Sequence, residues 1–156
     1  MHKAKSSRIA IAAVLALGGL AAVGSPVQAD GHKKTVVLTL TLTNENSYGN
    51  TADNTPGSFF GATGTVEKDG ESYGSYVNAC QVESATPRRL MCMGGFRTPD
   101  GQIGYKAITE VNFQTFPAEV TGGTQRFRNA SGDMQFGPTS SNRVRQVTIY
   151  LSGVKG

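Results

Sequence analysis

No histidine lies in the body of this chain. The two present are His2 and His32, both near the N-terminus. A Ser-His-Asp or Cys-His nucleophile system would therefore have no base. A histidine-built zinc or copper centre would have no ligands. Tryptophan is absent, and there are only two cysteines. Past the first thirty residues no apolar run approaches the roughly 20 residues that a membrane span needs. No segment shows a sustained helical stripe. The net charge of +4 is not a nucleic-acid signal either, because Lys3, Lys5 and Arg8 fall in the first eight residues. From Asp30 onward 12 basic residues face 11 acidic ones, too even a balance for a basic binding face.

What is present begins with a leader. Met1 to Arg8 is basic and acid-free, Ile9 to Val23 is apolar, and Val27-Gln28-Ala29 supplies small residues. This order is that of a secretory signal peptide, with cleavage expected between Ala29 and Asp30. The apolar run is too short for a membrane anchor. The expectation is thus a secreted, extracellular protein with one domain over residues 30–156.

Beyond the leader the period is two. Thr35 to Thr43 reads TVVLTLTLT, with Val36, Leu38, Leu40 and Leu42 on one face and threonines on the other. Such alternation is a strand buried on one side. Asn44 to Ser58 is polar and reads as a long loop. Further strands are expected at Phe59 to Glu67, Tyr73 to Glu83, Leu90 to Arg97, Gln102 to Val111, Ala118 to Val120, Gly132 to Phe136 and Val144 to Leu151. The turn signals between them include Lys68-Asp69-Gly70, Thr86-Pro87, Pro99-Asp100-Gly101 and Thr121-Gly122-Gly123. About eight short strands separated by turns indicate an all-β sandwich or barrel.

Cys80 and Cys92 are an even pair in an exported chain. That reads as a disulfide, the alternative being two buried free thiols. A hairpin centred on Thr86 would oppose them directly, within disulfide reach. It would also put Tyr76, Asn78 and Val82 on one face with Leu90, Gly94 and Phe96.

The segments PDGQI, VTGGTQRFRNASGDMQF and VRQVTIYL resemble the allene oxide cyclase barrel and dirigent-like superfamily, specifically its secreted bacterial members. Val120, Thr121, Gly122, Gly123, Thr124, Phe127, Ala130 and Gly132 fit the glycine-rich element of that pattern, while Gln125 stands where the pattern has glycine. Cysteines at the positions of Cys80 and Cys92 also resemble those relatives. The resemblance implies an eight-stranded antiparallel, calycin-like closed β-barrel. It implies no metal and no dissociable cofactor, and it points to a homo-oligomer, a trimer in the plant relatives. Gly-Gly-Thr here is a tight turn rather than a phosphate loop, since the lysine and following helix of such a loop are missing.

An eight-stranded barrel holds its own side chains or one small ligand. Leu38 and Leu40, with Tyr76 and Phe96, are the expected lining for a small apolar or aromatic molecule. The resemblance implies that such a barrel steers the coupling of phenoxy radicals, closes a ring in a reactive epoxide, or promotes a cycloaddition. Three functions follow. The first is a small-molecule binder that guides cyclisation or coupling by restricting geometry. The second is a non-catalytic structural or interaction barrel whose threonine face mediates assembly. The third is a cofactor-free isomerase or cyclase using Glu110 with Tyr105 or Arg97. That last function needs those groups to converge inside the barrel, where a buried carboxyl would have a raised pKa.

Overall fold

The computed structural model describes residues 35–110, 115–141 and 143–154. The expected leader, residues 1–29, lies outside them. Eight antiparallel strands follow one another round a closed barrel: β1 (Val36–Gly49), β2 (Phe59–Lys68), β3 (Glu71–Ala85), β4 (Arg88–Thr98), β5 (Gly101–Glu110), β6 (Phe116–Gly123), β7 (Ser131–Ser141) and β8 (Val144–Ser152). First meets last over Val36 opposite Leu151 through Thr43 opposite Val144. Closure leaves no free sheet edge, which is how an antiparallel sheet of this size avoids pairing with other chains.

Alternation decides what faces inward. Leu38, Leu40 and Leu42 of β1 are buried, as are Val147, Ile149 and Leu151 of β8. They sit opposite one another in register, Leu40 against Val147 and Leu38 against Ile149. Burying each such side chain contributes roughly 1.5–3 kcal/mol. The disulfide joins Cys80 of β3 to Cys92 of β4, which pair directly with their Cα atoms 4.0 Å apart. Both sulfurs belong to the core.

The strand map departs from the sequence expectation at two places. Thr121-Gly122-Gly123, expected as a tight turn, instead continues β6, with Gly122 and Gly123 paired to Gly104 and Ile103, because the chain reverses only after Thr124. Asn44 to Ser58 is not wholly a loop. β1 continues to Gly49 by a bulge between Asn44 and Asn46, and pairs with β2 as far as Phe60. Polar residues sustain this extension because its ladder hydrogen bonds do not depend on burial. The remaining loop is tied down. Gly57 N–H donates to the Val82 carbonyl (2.8 Å), Val82 N–H to the Ser58 carbonyl (3.0 Å), and the Arg88 guanidinium to the Thr51 carbonyl (2.6 Å).

The glycine-rich element packs against β5 and β6. After β6 a 3-10 turn, Gln125–Phe127, drives the buried Phe127 ring under the strands. Thr124 Oγ1 accepts the Gln102 N–H at 3.0 Å, and Arg126 pairs with Asp100 at 3.2 Å. A Cβ on Gly123 would stand 2.1 Å from the Gln102 carbonyl, so only glycine fits. Gln125 has φ +50, the left-handed region that glycine enters most easily. The element seats Phe127 in the core against β5 and β6.

Candidate functional site

Within the apolar interior one cluster is polar. Asn44, Tyr76, Asn78, Tyr105 and Arg145 come from β1, β3, β5 and β8, all at positions in phase with buried neighbours. The Tyr76 hydroxyl donates to Asn44 Oδ1. Asn78 Oδ1 accepts the Ala62 N–H at 2.7 Å. The Arg145 guanidinium lies over the Phe116 ring, 5.4 Å from its centroid. A chain of rings runs beside the cluster: Phe96 to Tyr105 at 5.6 Å, Tyr105 to Phe136 at 5.1 Å and Phe136 to Phe116 at 4.5 Å between centroids. Such contacts add about 0.5–1.5 kcal/mol each beyond area burial.

Two inward-facing glycines make room for the tyrosines. A Cβ on Gly94 would come within 2.4 Å of the Val77 carbonyl and 2.7 Å of the Tyr105 hydroxyl. One on Gly64 would come within 1.9 Å of the Thr43 carbonyl and 3.0 Å of the Tyr76 ring. Each ring thus crosses the adjacent strand at a position with no side chain in its way, which lets the Tyr76 hydroxyl reach Asn44 of β1 and the Tyr105 hydroxyl reach Asn78 of β3.

Burial sets the electrostatics. It pushes the Tyr105 phenol well above its ordinary value, and the nearby Tyr76 adds to the rise. The Arg145 charge and a hydrogen bond with the Asn78 side chain pull the other way. Burial likewise raises Tyr76, with Arg145 opposing and Glu45 adding. Arg145 is lowered by burial while the two tyrosines support its charge, and a guanidinium remains protonated in any case. The cluster is therefore one cation and two neutral phenols, with the Tyr76 proton committed to Asn44 Oδ1 and the guanidinium and the Tyr105 hydroxyl left as donors. It has no base. It suits an oxygen atom that carries or develops negative charge.

The raised phenols have a pH consequence. Folding favours their neutral forms, so their contribution is intact below about pH 10 and is lost as pH rises through the folded-state values. Phenolate absorbance should show Tyr76 and Tyr105 ionising late, together with loss of the near-ultraviolet dichroism. Smooth ionisation of all five tyrosines in a still-folded chain would contradict this burial.

The sequence-derived site divides across the barrel wall. Leu38, Leu40, Tyr76, Phe96 and Tyr105 are buried on the inner face. Arg97 and Glu110 are exposed on the outer face. The dyad of Glu110 with Tyr105 or Arg97 is therefore not assembled. The physical reason is strand parity. Arg97 adjoins the inward Phe96, and Glu110 is an odd number of residues from the inward Tyr105, so each must point away. Arg145 belongs to the inner face as well. Its two-residue spacing from Val147, Ile149 and Leu151 was the available signal.

The expected apolar hollow is also modified. Aromatic rings pack across the interior beside the polar cluster, and two hollows of about 330 and 520 Å³ lie on the outer wall around Arg97.

No family model matches this chain, and no curated protein matches it. Solved structures do. A pyocyanin demethylase aligns at 20% identity with a TM-score of 0.68, covering 75% of this chain and all of that one. A pterocarpan synthase dirigent protein aligns at 16% identity and a TM-score of 0.64, covering 79% and 87%. An exo-specific intermolecular Diels-Alderase aligns at 15% identity and a TM-score of 0.63, covering 77% and 98%. The chain has the dirigent-like barrel fold. At these identities the likeness extends to the fold and not to the activity. Within this dirigent-like barrel, Arg145 and the two tyrosines are the groups with chemistry to offer.

Proposed function

We propose that this protein is an exported barrel that binds a small aromatic molecule through an oxygen substituent and guides its cyclisation or coupling. The observation that carries the reading is the inward Arg145 guanidinium facing two neutral phenols amid aromatic rings. The rings supply flat apolar contacts. Arg145 and the Tyr105 hydroxyl hold one oxygen and stabilise charge developing on it, while the Tyr76 proton stays on Asn44 Oδ1. The barrel contributes geometry and electrostatics, and fixing one reactive shape is itself worth rate. The reactions in the names of its structural neighbours, a cycloaddition and a pterocarpan synthesis, support this reading. A homo-oligomer belongs to the same proposal, and light scattering would decide it.

The test uses 2-naphthol, with naphthalene as a comparator lacking the oxygen. Saturable quenching of tyrosine emission is expected from 2-naphthol. It should bind about tenfold tighter than naphthalene, as expected for a hydrogen bond to a charged group. Arg145→Met keeps the volume but should erase that preference. Equal affinity for both compounds, or no saturable quenching, would defeat the reading.

A further inference from the structure

Strand glycines cost stability unless something requires the bare backbone. Most here are required. Gly64, Gly74, Gly94 and Gly132 would each put a Cβ within 2.4 Å of a neighbouring carbonyl. Gly95 and Gly104 are different. They pair directly across β4 and β5 and face outward. Neither has a positive φ. A Cβ on Gly104 would crowd the Thr121 hydroxyl, at 2.8 Å, on an exposed side chain that can rotate, and would otherwise make ordinary contact with the Gly122 and Gly94 carbonyls. On Gly95 it would meet the Ile103 carbonyl at 3.1 Å, tighter than an ordinary contact, so packing favours glycine there. Packing does not account for both of them.

The two glycines floor the hollow of about 330 Å³ on the outer wall. Its sides are Ser75, Val77, Arg97 and Gln102. Arg97 and Ser75 are shared with the adjoining hollow of about 520 Å³ that continues over Tyr73 and Gly74. Arg97 forms no ion pair among the described residues. The volume lies in the range of small-ligand sites. A bare peptide floor accepts a flat face at close range, Val77 adds an apolar wall, and a guanidinium beside it matches a carboxylate in two parallel hydrogen bonds.

We propose that the outer wall carries a second small-molecule site, a glycine-floored trough that takes the flat face of an aromatic carboxylate beside Arg97. It stands apart from the interior cluster, because Arg97 and Arg145 lie on opposite faces of the wall.

The experiment titrates the purified chain with 2-naphthoate and follows backbone amide shifts by NMR. Shifts are expected at Ser75, Val77, Gly95 and Gly104. Arg97→Gln, a change at an exposed side chain, should weaken binding about tenfold, as loss of a charge-assisted hydrogen bond does. Gly104→Val should fill the trough and abolish those shifts while the fold persists. If that variant does not fold, Arg97→Gln alone decides. Shifts confined to inward residues such as Leu40 and Ala118 would overturn the proposal. So would affinity unchanged within about twofold in Arg97→Gln, or no shifts at millimolar naphthoate.

Discussion

Gly94→Ala is expected to melt roughly 10 °C below the parent chain, corresponding to about 3 kcal/mol. The added methyl has nowhere to go. It meets the Val77 carbonyl at 2.4 Å on one side and the Tyr105 hydroxyl at 2.7 Å on the other. The carbonyl belongs to a strand fixed in the ladder, so it cannot yield cheaply. Displacing Tyr105 would disturb its packing against Phe96 and Phe136. Gly104→Ala, on the adjoining strand but facing out, is the control. It should hold or raise the melting temperature, since alanine loses less backbone entropy than glycine on folding. Thermal melts of the two variants side by side check the point. Equal melting temperatures would mean that Tyr105 does not cross Gly94 as described.

Removing the disulfide by Cys80→Ala with Cys92→Ala should cost a comparable amount. The bond spans 12 residues of sequence, and closing a loop of that size contributes about 3 kcal/mol through the unfolded chain. The alanines also forfeit packing at two positions that are 3% and 1% exposed. A fall of roughly 10 °C or more is expected. The same burial shields the bond. In native buffer a thiol reductant should leave it intact, and reduction should follow unfolding rather than precede it. Mass spectrometry after alkylation, with and without denaturant, reads the outcome. Rapid reduction of the folded chain would show that the core admits the reagent.

Most of the fold was legible in the residues, and the reason is periodicity. Val36 to Leu42 announces one buried face, and the turn signals at Asp69-Gly70 and Pro99-Asp100 lie where the chain reverses. The spacing of Cys80 and Cys92 about Thr86 predicts their pairing, and the register agrees from Ser75 opposite Arg97 to Val82 opposite Leu90. The tip departs from it by a bulge between Val82 and Ser84, which no composition signal marks. The site was less legible. Hydrogen bonds such as Tyr76 to Asn44 join residues 32 apart in sequence, and only closure brings them together. Parity alone would have separated Arg97 and Glu110 from Phe96 and Tyr105, and would have admitted Arg145. Chemical character had argued the other way, since an arginine reads as exposed and a glutamate reads as a proton carrier.

The seam between β1 and β8 bears on how the molecule comes into being. Val36 and Leu151 pair directly, yet one is made near the start of the chain and the other near its end. Until the final strand exists, every intermediate carries two raw sheet borders able to stick to a neighbour. Assembly must therefore wait for the whole chain, and contacts so distant in sequence make it slow. A chain truncated before Val144 would leave the first strand unmatched along Val36 to Thr43, and such a fragment should accumulate as aggregate rather than as a smaller barrel.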